Sequence, residues 1–269
     1  MSDRIGARFD TLRAQQRTAL IPFITAGDPI PDATVVLMHA LVESGADVIE
    51  LGVPFSDPMA DGPVIQHADE RALRNKVGIA DILRWVRAFR TRDGATPVVL
   101  MGYLNPIEIH GMGRFAHEAA DAGVDGVLVV DCPIEEDAAL RPLRDAGLQR
   151  ILLTAPTTSD TRLARAVEAA EGYLYYVSFA GITGGAKLSV QEIAQRVGDL
   201  RAQAKVPVAV GFGIKDAASA KAVAGFADAV VIGSALVGML ADSANADDAC
   251  GRARAFLGPV RAALDEGPA

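Results

Sequence analysis

The segment V-I-E-L-G-V at residues 48–53 contains a carboxylate, Glu50, within an otherwise apolar run. Such a run is typical of a strand that is buried on both faces. Burial raises the pKa of a carboxyl group because the charged form loses its hydration. Glu50 is therefore a candidate general acid–base, since that role needs a proton affinity near neutral pH. The structural alternative is a buried Glu that pairs with a buried arginine or a backbone donor.

A second candidate carboxylate, Asp61, lies in the segment S-D-P-M-A-D-G-P at 56–63, together with Asp57. Two prolines and a glycine predict a loop here, and aspartates beside such residues commonly form turns, which is the structural alternative. The position of this loop directly after the strand that carries Glu50 favours a functional role. Two carboxylates, one in apolar and one in solvated surroundings, can take separate acid and base roles.

Three glycine-rich segments follow three consecutive predicted strands near the C-terminus. They are A-G-I-T-G-G (180–185), G-F-G-I-K-D (211–216) and I-G-S-A-L-V (232–237). Glycine lets the backbone approach a ligand closely, and free N–H groups at helix starts favour anions. One such segment usually marks only a turn, but three together predict a phosphate site. The residues at the last two strand ends are Gly211, Gly213, Gly233 and Ser234.

The elements that must position these residues are eight short apolar runs separated by amphipathic stretches. The runs are 19–25, 48–52, 97–101, 126–130, 150–153, 174–177, 208–210 and 229–232. This alternation predicts an α/β fold with a parallel sheet. The count of eight and the even spacing favour a single (β/α)8-barrel domain over 1–269, with an extra N-terminal helix. An open doubly wound sheet is the alternative on pattern alone.

The stretches between the runs have the pattern of amphipathic helices. We predict helices over 34–44, 79–92, 114–122, 135–146, 161–170, 189–203 and 217–224, and a last one after Asn245 that Pro259 would kink. Asp47, Asp125 and Asp228 each open a predicted strand. Function in a barrel gathers at the other end of the strands, so we expect these aspartates to be structural.

Composition excludes several classes of function. The 269 residues carry a net charge of −8, which disfavours nonspecific binding to nucleic acid. No run of 18 apolar residues predicts a membrane span, and the N-terminus lacks the apolar core of a signal peptide. Cys132 and Cys250 form no C-x-x-C motif, which favours a reducing cytoplasm. The four histidines are scattered and form no metal-binding motif, so we expect no metal site.

Two runs, P-F-I-T-A-G-D-P (22–29) and E-L-G-V-P-F-S-D-P-M-A-D-G-P (50–63), closely resemble the tryptophan synthase α subunit family. Later motifs match in the same order. They are Y-L-N-P (103–106), Y-V-S-F-A-G-I-T-G (176–184), G-F-G-I (211–214) and I-G-S-A (232–235). The resemblance covers nearly the whole chain, and the run at 50–63 is its most specific part.

The resemblance implies a (β/α)8-barrel lyase of tryptophan biosynthesis. Its reaction is the retro-aldol cleavage of indole-3-glycerol phosphate to indole and glyceraldehyde 3-phosphate. No cofactor is implied in this chain. The implied partner is a β subunit that carries pyridoxal phosphate, in an α2β2 heterotetramer. Indole would pass to that subunit and be joined to serine.

The family's functional residues map onto matching positions of this sequence. Glu50 and Asp61 correspond to the catalytic pair. Phe23 and Tyr175 would flank the substrate, and Gly211 would line the same end of the barrel, where the strands finish. The residues implied to bind the phosphate are Gly184, Gly213, Gly233 and Ser234. The segments 54–58 and 105–107 would face the β subunit.

One position departs from the family pattern. Phe179 stands where many relatives carry a polar or charged residue. The loop around it is expected to close over the substrate, with Thr183 meeting Asp61.

Three other functions compete with this one. The first is a free-standing indole-3-glycerol-phosphate lyase that needs no partner. The second is an isomerase of another sugar phosphate, against which the 50–63 run argues. The third is an inactive barrel that only activates its partner, against which the presence of both Glu50 and Asp61 argues.

Overall fold

The computed structural model describes residues 3–177, 189–211 and 213–266. Its sheet consists of parallel strands in the order β5-β4-β3-β2-β1-β9-β8-β7-β6. The strands are β1 (Ala19–Thr25), β2 (Ile49–Gly52), β3 (Val98–Gly102), β4 (Gly126–Val129), β5 (Gln149–Arg150), β6 (Leu152–Thr154), β7 (Leu174–Val177), β8 (Val208–Gly211) and β9 (Ala229–Ile232). All eight predicted apolar runs are therefore strands, and the fifth run is divided in two.

The division at Ile151 shows how the sheet closes. β5 pairs with β4, and β6 pairs with β7. Ile151, the residue between them, donates its N–H to the Val127 carbonyl at 3.0 Å. β5 and β6 are thus two parts of one barrel strand, and the ring has eight positions. The structure confirms the closed (β/α)8 barrel, and the open-sheet alternative is wrong.

Helices surround the barrel. They are α1 (Arg4–Ala14), α2 (Thr34–Glu43), α3 (Pro63–Arg74), α4 (Ile79–Arg90), α5 (Leu104–His110), α6 (Met112–Ala122), α7 (Arg141–Asp145), α8 (Asp160–Ala169), α9 (Val190–Gln203), α10 (Ala217–Ala224), α11 (Ser234–Leu240) and α12 (Ala246–Asp265). Short 3-10 helices occupy Pro31–Ala33 and Ile134–Leu140.

The predicted helix over 135–146 is wrong as a single element. The 3-10 helix Ile134–Leu140 is irregular at Glu136 and is followed by the separate α7. Pro142 stands in the first turn of α7, where its missing N–H costs no helical hydrogen bond. Helices α3 and α5 follow strands β2 and β3 and were not predicted. The C-terminal helix α12 continues through Pro259.

The extra N-terminal helix closes one end of the barrel. Ile5, Phe9 and Leu12 of α1 are buried and belong to the same apolar cluster as interior side chains such as Ile21 and Val99. This apolar plug lies at the amino ends of the strands. The opposite end, where the strands finish, is left for the functional residues.

The three aspartates that open strands tie the amino end together. Each carboxylate accepts the N–H of the first or second residue in a neighbouring strand: Asp47 from Leu20 at 2.9 Å, Asp125 from Val98 at 2.8 Å and Asp228 from Val208 at 2.9 Å. Each also binds a helix arginine: Arg261, Arg90 and Arg201 respectively. The structural role predicted for these aspartates is confirmed.

No helix in the described ranges is long and apolar enough to cross a membrane.

Cys132 and Cys250 are both free thiols.

We predict that Asp125→Ala lowers the free energy of unfolding by about 3–5 kcal/mol, measured by urea denaturation. The substitution leaves Arg90 as a buried cation without its carboxylate and removes the acceptor of the Val98 N–H. Asp10→Ala is the control, because its ion pair with Arg13 is exposed and contributes less than about 1 kcal/mol. Equal losses in the two variants would contradict the structural role of Asp125.

Candidate active site

Strand β2 places Glu50 in the barrel interior. Its neighbours in the register are Phe23 of β1 and Val99 of β3, and its exposed fraction is 0%. Tyr173 donates its hydroxyl to Oε1 of Glu50 at 2.5 Å. The other oxygen, Oε2, has no hydrogen-bond partner among the described residues. Burial raises the pKa of Glu50 to about 7, although the hydrogen bond from Tyr173 acts in the opposite direction.

These contacts bear on the two interpretations of Glu50. In the described part of the barrel its hydrogen bond comes from a phenol, not from an arginine or a backbone N–H as the structural alternative required. A neutral partner leaves the carboxyl group free to exchange a proton near neutral pH. Burial and the Glu50 charge raise the pKa of Tyr173, so this phenol stays protonated.

Tyr173 was missed by the sequence analysis. It stands directly before the apolar run of β7 and lies on the same face of that strand as Tyr175. The alternation of Tyr173 and Tyr175 about Leu174 was the one available signal, because alternate residues of a strand face the same side.

The loop 53–62 between β2 and α3 carries Asp61, as the two prolines and the glycine predicted. Tyr103 donates its hydroxyl to Asp61 Oδ2 at 2.7 Å and accepts the N–H of Ala60 at 3.0 Å. Gln66 donates its side-chain amide to the Asp61 carbonyl at 2.7 Å. The loop is thus fixed on both sides of the carboxylate.

The prediction that Asp61 lies in solvated surroundings needs correction. Its side chain is half-buried, and burial raises its pKa, although the Tyr103 hydroxyl lowers it. The surroundings of Glu50 and Asp61 therefore differ less than the sequence indicated. Glu50 is still the more deeply enclosed of the two.

Close packing brings the predicted substrate-flanking residues to this mouth. A Cβ on Gly211 would overlap the hydroxyl of Tyr175, so only glycine lets this phenol lie against β8. A Cβ on Gly52 would lie 2.6 Å from the ring of Phe23, and one on Gly233 would lie 3.5 Å from the Cβ of Phe23. Phe23 is therefore packed between the ends of two strands.

The predicted phosphate residues lie beyond β8 and β9. Gly213 has φ +77°, a conformation that favours glycine, and Gly233 caps α11, whose first residue is Ser234. The first N–H groups of a helix have no partner within it, which suits an anion. Thr183, Gly184 and Phe179 lie outside the described residues.

Asp69 of α3 is a further carboxylate at this mouth that the sequence analysis missed. It lines the same small cavity as Asp61, together with Phe23 and Tyr103. Its sequence position gave no sign that its side chain lies beside Asp61. Within the described residues, no group of three or more His, Cys, Asp or Glu side chains could hold a metal ion.

An eight-stranded barrel with buried carboxyl groups of raised pKa at the carboxyl ends of its strands is typical of an enzyme of the (β/α)8 class. The model of the tryptophan synthase alpha chain family matches residues 9–263. The chain belongs to this family.

Relatives support the same conclusion. The tryptophan synthase alpha chain of Xylella fastidiosa (strain 9a5c) is 61% identical over 263 residues, which cover 97% of this chain and 98% of the relative. That of Xanthomonas campestris pv. campestris (strain B100) is 58% identical over 267 residues, 98% of each chain. The crystal structure of tryptophan synthase subunit alpha from Legionella pneumophila str. Paris superposes on this chain with a TM-score of 0.92 at 47% sequence identity. The superposition covers 99% of this chain and 100% of that one.

We predict that Glu50→Gln stabilises the fold at pH 8 by about 3 kcal/mol and has little effect near pH 4. The pKa of Glu50 is raised from 4.5 to about 7 in the folded state, so the folded chain binds more protons than the unfolded chain between these values. The wild type therefore loses stability as pH rises through this window, and the variant does not. Urea denaturation of both proteins from pH 4 to pH 8 measures the difference, and a pH-independent difference would contradict it.

Proposed function

We propose that this chain catalyses the retro-aldol cleavage of indole-3-glycerol phosphate to indole and glyceraldehyde 3-phosphate, as the α subunit of a tryptophan synthase. The observation that carries the proposal is the buried carboxyl group of Glu50, with one oxygen held by Tyr173 and the other without a partner in the described barrel. Membership of the family supplies the substrate. The whole chain, 1–269, would act as one barrel domain and bring no cofactor of its own.

The reaction needs two proton movements, and the site offers a group for each. A proton is added to indole C3, and the ring nitrogen shares the positive charge that develops. The glycerol hydroxyl on the carbon bonded to C3 then loses its proton, and its oxygen becomes the aldehyde oxygen. The bond between that carbon and C3 breaks, and its electron pair returns to the ring. Glu50 would give the proton to C3 or take the one from the hydroxyl. Each positioned transfer contributes about 10²–10⁴-fold in rate.

Asp61 would accept the indole N–H. A carboxylate at that point stabilises the positive charge on the ring in the transition state more than in the ground state, which is the condition for catalysis. The hydroxyl of Tyr103 and the anchored loop keep its direction fixed. Asp61 therefore acts as an ionised acceptor while Glu50 carries the proton.

Phe23 and Tyr175 would hold the indole ring between them at the barrel mouth. Gly213, Gly233 and Ser234 would surround the phosphate, and this assignment is supported by their location after the last two strands. Gly211, the last residue of β8, would line the substrate site beside Tyr175. We assign Gly184 to the phosphate and Thr183 to a contact with Asp61 on the resemblance of the 176–184 motif alone.

We propose a β subunit as the partner, with pyridoxal phosphate in that subunit and the assembly in the cytoplasm. Two exposed apolar side chains at the barrel mouth suit such a contact: Met59 in the 53–62 loop is 84% exposed and Ile109 of α5 is 80% exposed. The rings of Phe55 and Tyr103 pack at 5.2 Å and join the loop to the start of α5. Ile107, which was expected to face the partner, is buried instead.

We predict that the purified chain releases indole slowly from indole-3-glycerol phosphate and faster by about 10-fold or more with a β subunit. Glu50→Gln and Asp61→Asn should each lower the rate by at least about 100-fold with the partner present. Indole is measured by its absorbance or by chromatography. Glu70→Gln is the control, since this exposed carboxylate of α3 lies outside both the catalytic pair and the segment 54–58.

Each contrary result has a distinct meaning. Fast release without a partner would replace the α-subunit assignment with a free-standing lyase. Full activity in Glu50→Gln would remove Glu50 from the mechanism. No release in any condition would contradict the proposed reaction.

A further inference from the structure

Asp69 is a buried carboxyl group that the proposed reaction does not use. It lies on α3, eight residues after Asp61, and its exposed fraction is 4%. Thr25, the last residue of β1, donates its hydroxyl to Asp69 Oδ1 at a long 3.4 Å. The backbone N–H of Phe55, in the loop that carries Asp61, faces this carboxyl group and lowers its pKa. Asp69 thus links α3 to the end of β1 and faces the start of the 53–62 loop.

Asp61 and Asp69 face the same space. Both line a cavity of about 10 Å³, which holds no more than about one water molecule. Two carboxyl groups that share so small a space repel one another when both are ionised, and one of them then keeps a proton. The question is which of the two keeps it.

The surroundings favour Asp69 as the protonated member. It is the more deeply buried of the two, whereas Asp61 is half-buried and accepts a 2.7 Å hydrogen bond from the Tyr103 hydroxyl. Charged groups gain more from a short hydrogen bond and from solvent than neutral groups do. Consistently, burial and then the charge of Asp61 raise the pKa of Asp69 to about 7.

The other titratable groups near Asp69 do not reverse this order. Asp28 adds a further negative charge, but Arg71 binds it through two hydrogen bonds, at 2.6 and 3.0 Å. Tyr103 lies on the Asp61 side, and burial and that carboxylate raise the pKa of its phenol, so it remains neutral. Below the pKa of Asp69, the negative charge in the cavity therefore lies on Asp61.

We propose that Asp69 is a positioning residue for Asp61: its carboxyl group, which faces the start of the 53–62 loop, holds the proton of the pair, so that Asp61 alone carries the negative charge. This inference rests on the proposed function, in which ionised Asp61 accepts the indole N–H. Ionisation of Asp69 at higher pH puts a second negative charge into the cavity. The repulsion between the two carboxylates then displaces the 53–62 loop, which holds Asp61 in position.

Carboxyl NMR tests the location of the proton without any need for activity. The full-length chain is labelled with ¹³C at the aspartate side-chain carboxyl, and the resonance that disappears in Asp69→Asn is assigned to Asp69. We expect it to titrate near pH 7, and at lower pH in Asp61→Asn, because that change removes the neighbouring charge. A midpoint near pH 4, or one that Asp61→Asn leaves unmoved, overturns the proposal.

Kinetics with indole-3-glycerol phosphate test the consequence. Asp69→Asn cannot ionise, so the ratio of its kcat/KM to that of the wild type should rise by about 10-fold between pH 6 and pH 8.5. The ionisation of Glu50 is common to both proteins and cancels in this ratio. A ratio that does not change with pH overturns the proposed role of the proton.

The positioning role has its own variants. Asp69→Ala removes the acceptor of the Thr25 hydroxyl and the carboxyl group that faces the 53–62 loop, and should lower kcat by between about 10-fold and 100-fold, while Asp69→Asn, which keeps an acceptor oxygen, should restore part of that loss. Glu70→Gln, an exposed carboxylate on the same helix, is the control and should match the wild type. Equal kcat in Asp69→Ala and the wild type overturns the positioning role. If the wild type itself released no indole, the proposed function would fail while the NMR titration still decided where the proton lies.

Discussion

The hydrogen bond between Tyr173 and Glu50, buried at the centre of the barrel, is the contact on which the rest of the site depends. A carboxyl group in such surroundings is costly when ionised, and a neutral phenol offsets only part of that cost. The result is a carboxyl group that exchanges a proton near neutral pH and lowers the stability of the fold at higher pH. The fold tolerates this loss of stability because the rest of the interior is apolar and closely packed.

The two ends of the barrel divide stability and function between them. At the amino ends, α1 fills the interior with Ile5, Phe9 and Leu12, and Asp47, Asp125 and Asp228 bind strands to helices through arginines. Among the described residues at the carboxyl ends, Glu50 and Asp61 each accept a hydrogen bond from a neutral phenol. Apolar side chains fill the interior below Glu50, and the mouth above it carries the loop with Asp61.

Local patterns in the sequence were enough to predict the strands, the loop at 53–62 and the two principal carboxylates. Each signal was local: a Glu in an apolar run, or an Asp between prolines and glycine. The contacts that tune these groups could not be predicted in the same way. Tyr173 is 123 positions from Glu50, and Asp69 meets Asp61 only because α3 folds back over the end of β1. The break at Glu136 and the burial of Ile107 likewise depend on packing against distant elements.

The most direct test of this account is the titration of Glu50 itself. In full-length protein labelled with ¹³C at the glutamate side-chain carboxyl, the resonance that Glu50→Gln removes should titrate near pH 7. Tyr173→Phe should move that midpoint upward, because it removes a hydrogen bond that favours the ionised form, while Tyr176→Phe, on the outer face of the same strand, should not. A midpoint near 4.5 in the wild type, or one that Tyr173→Phe leaves in place, would contradict the account.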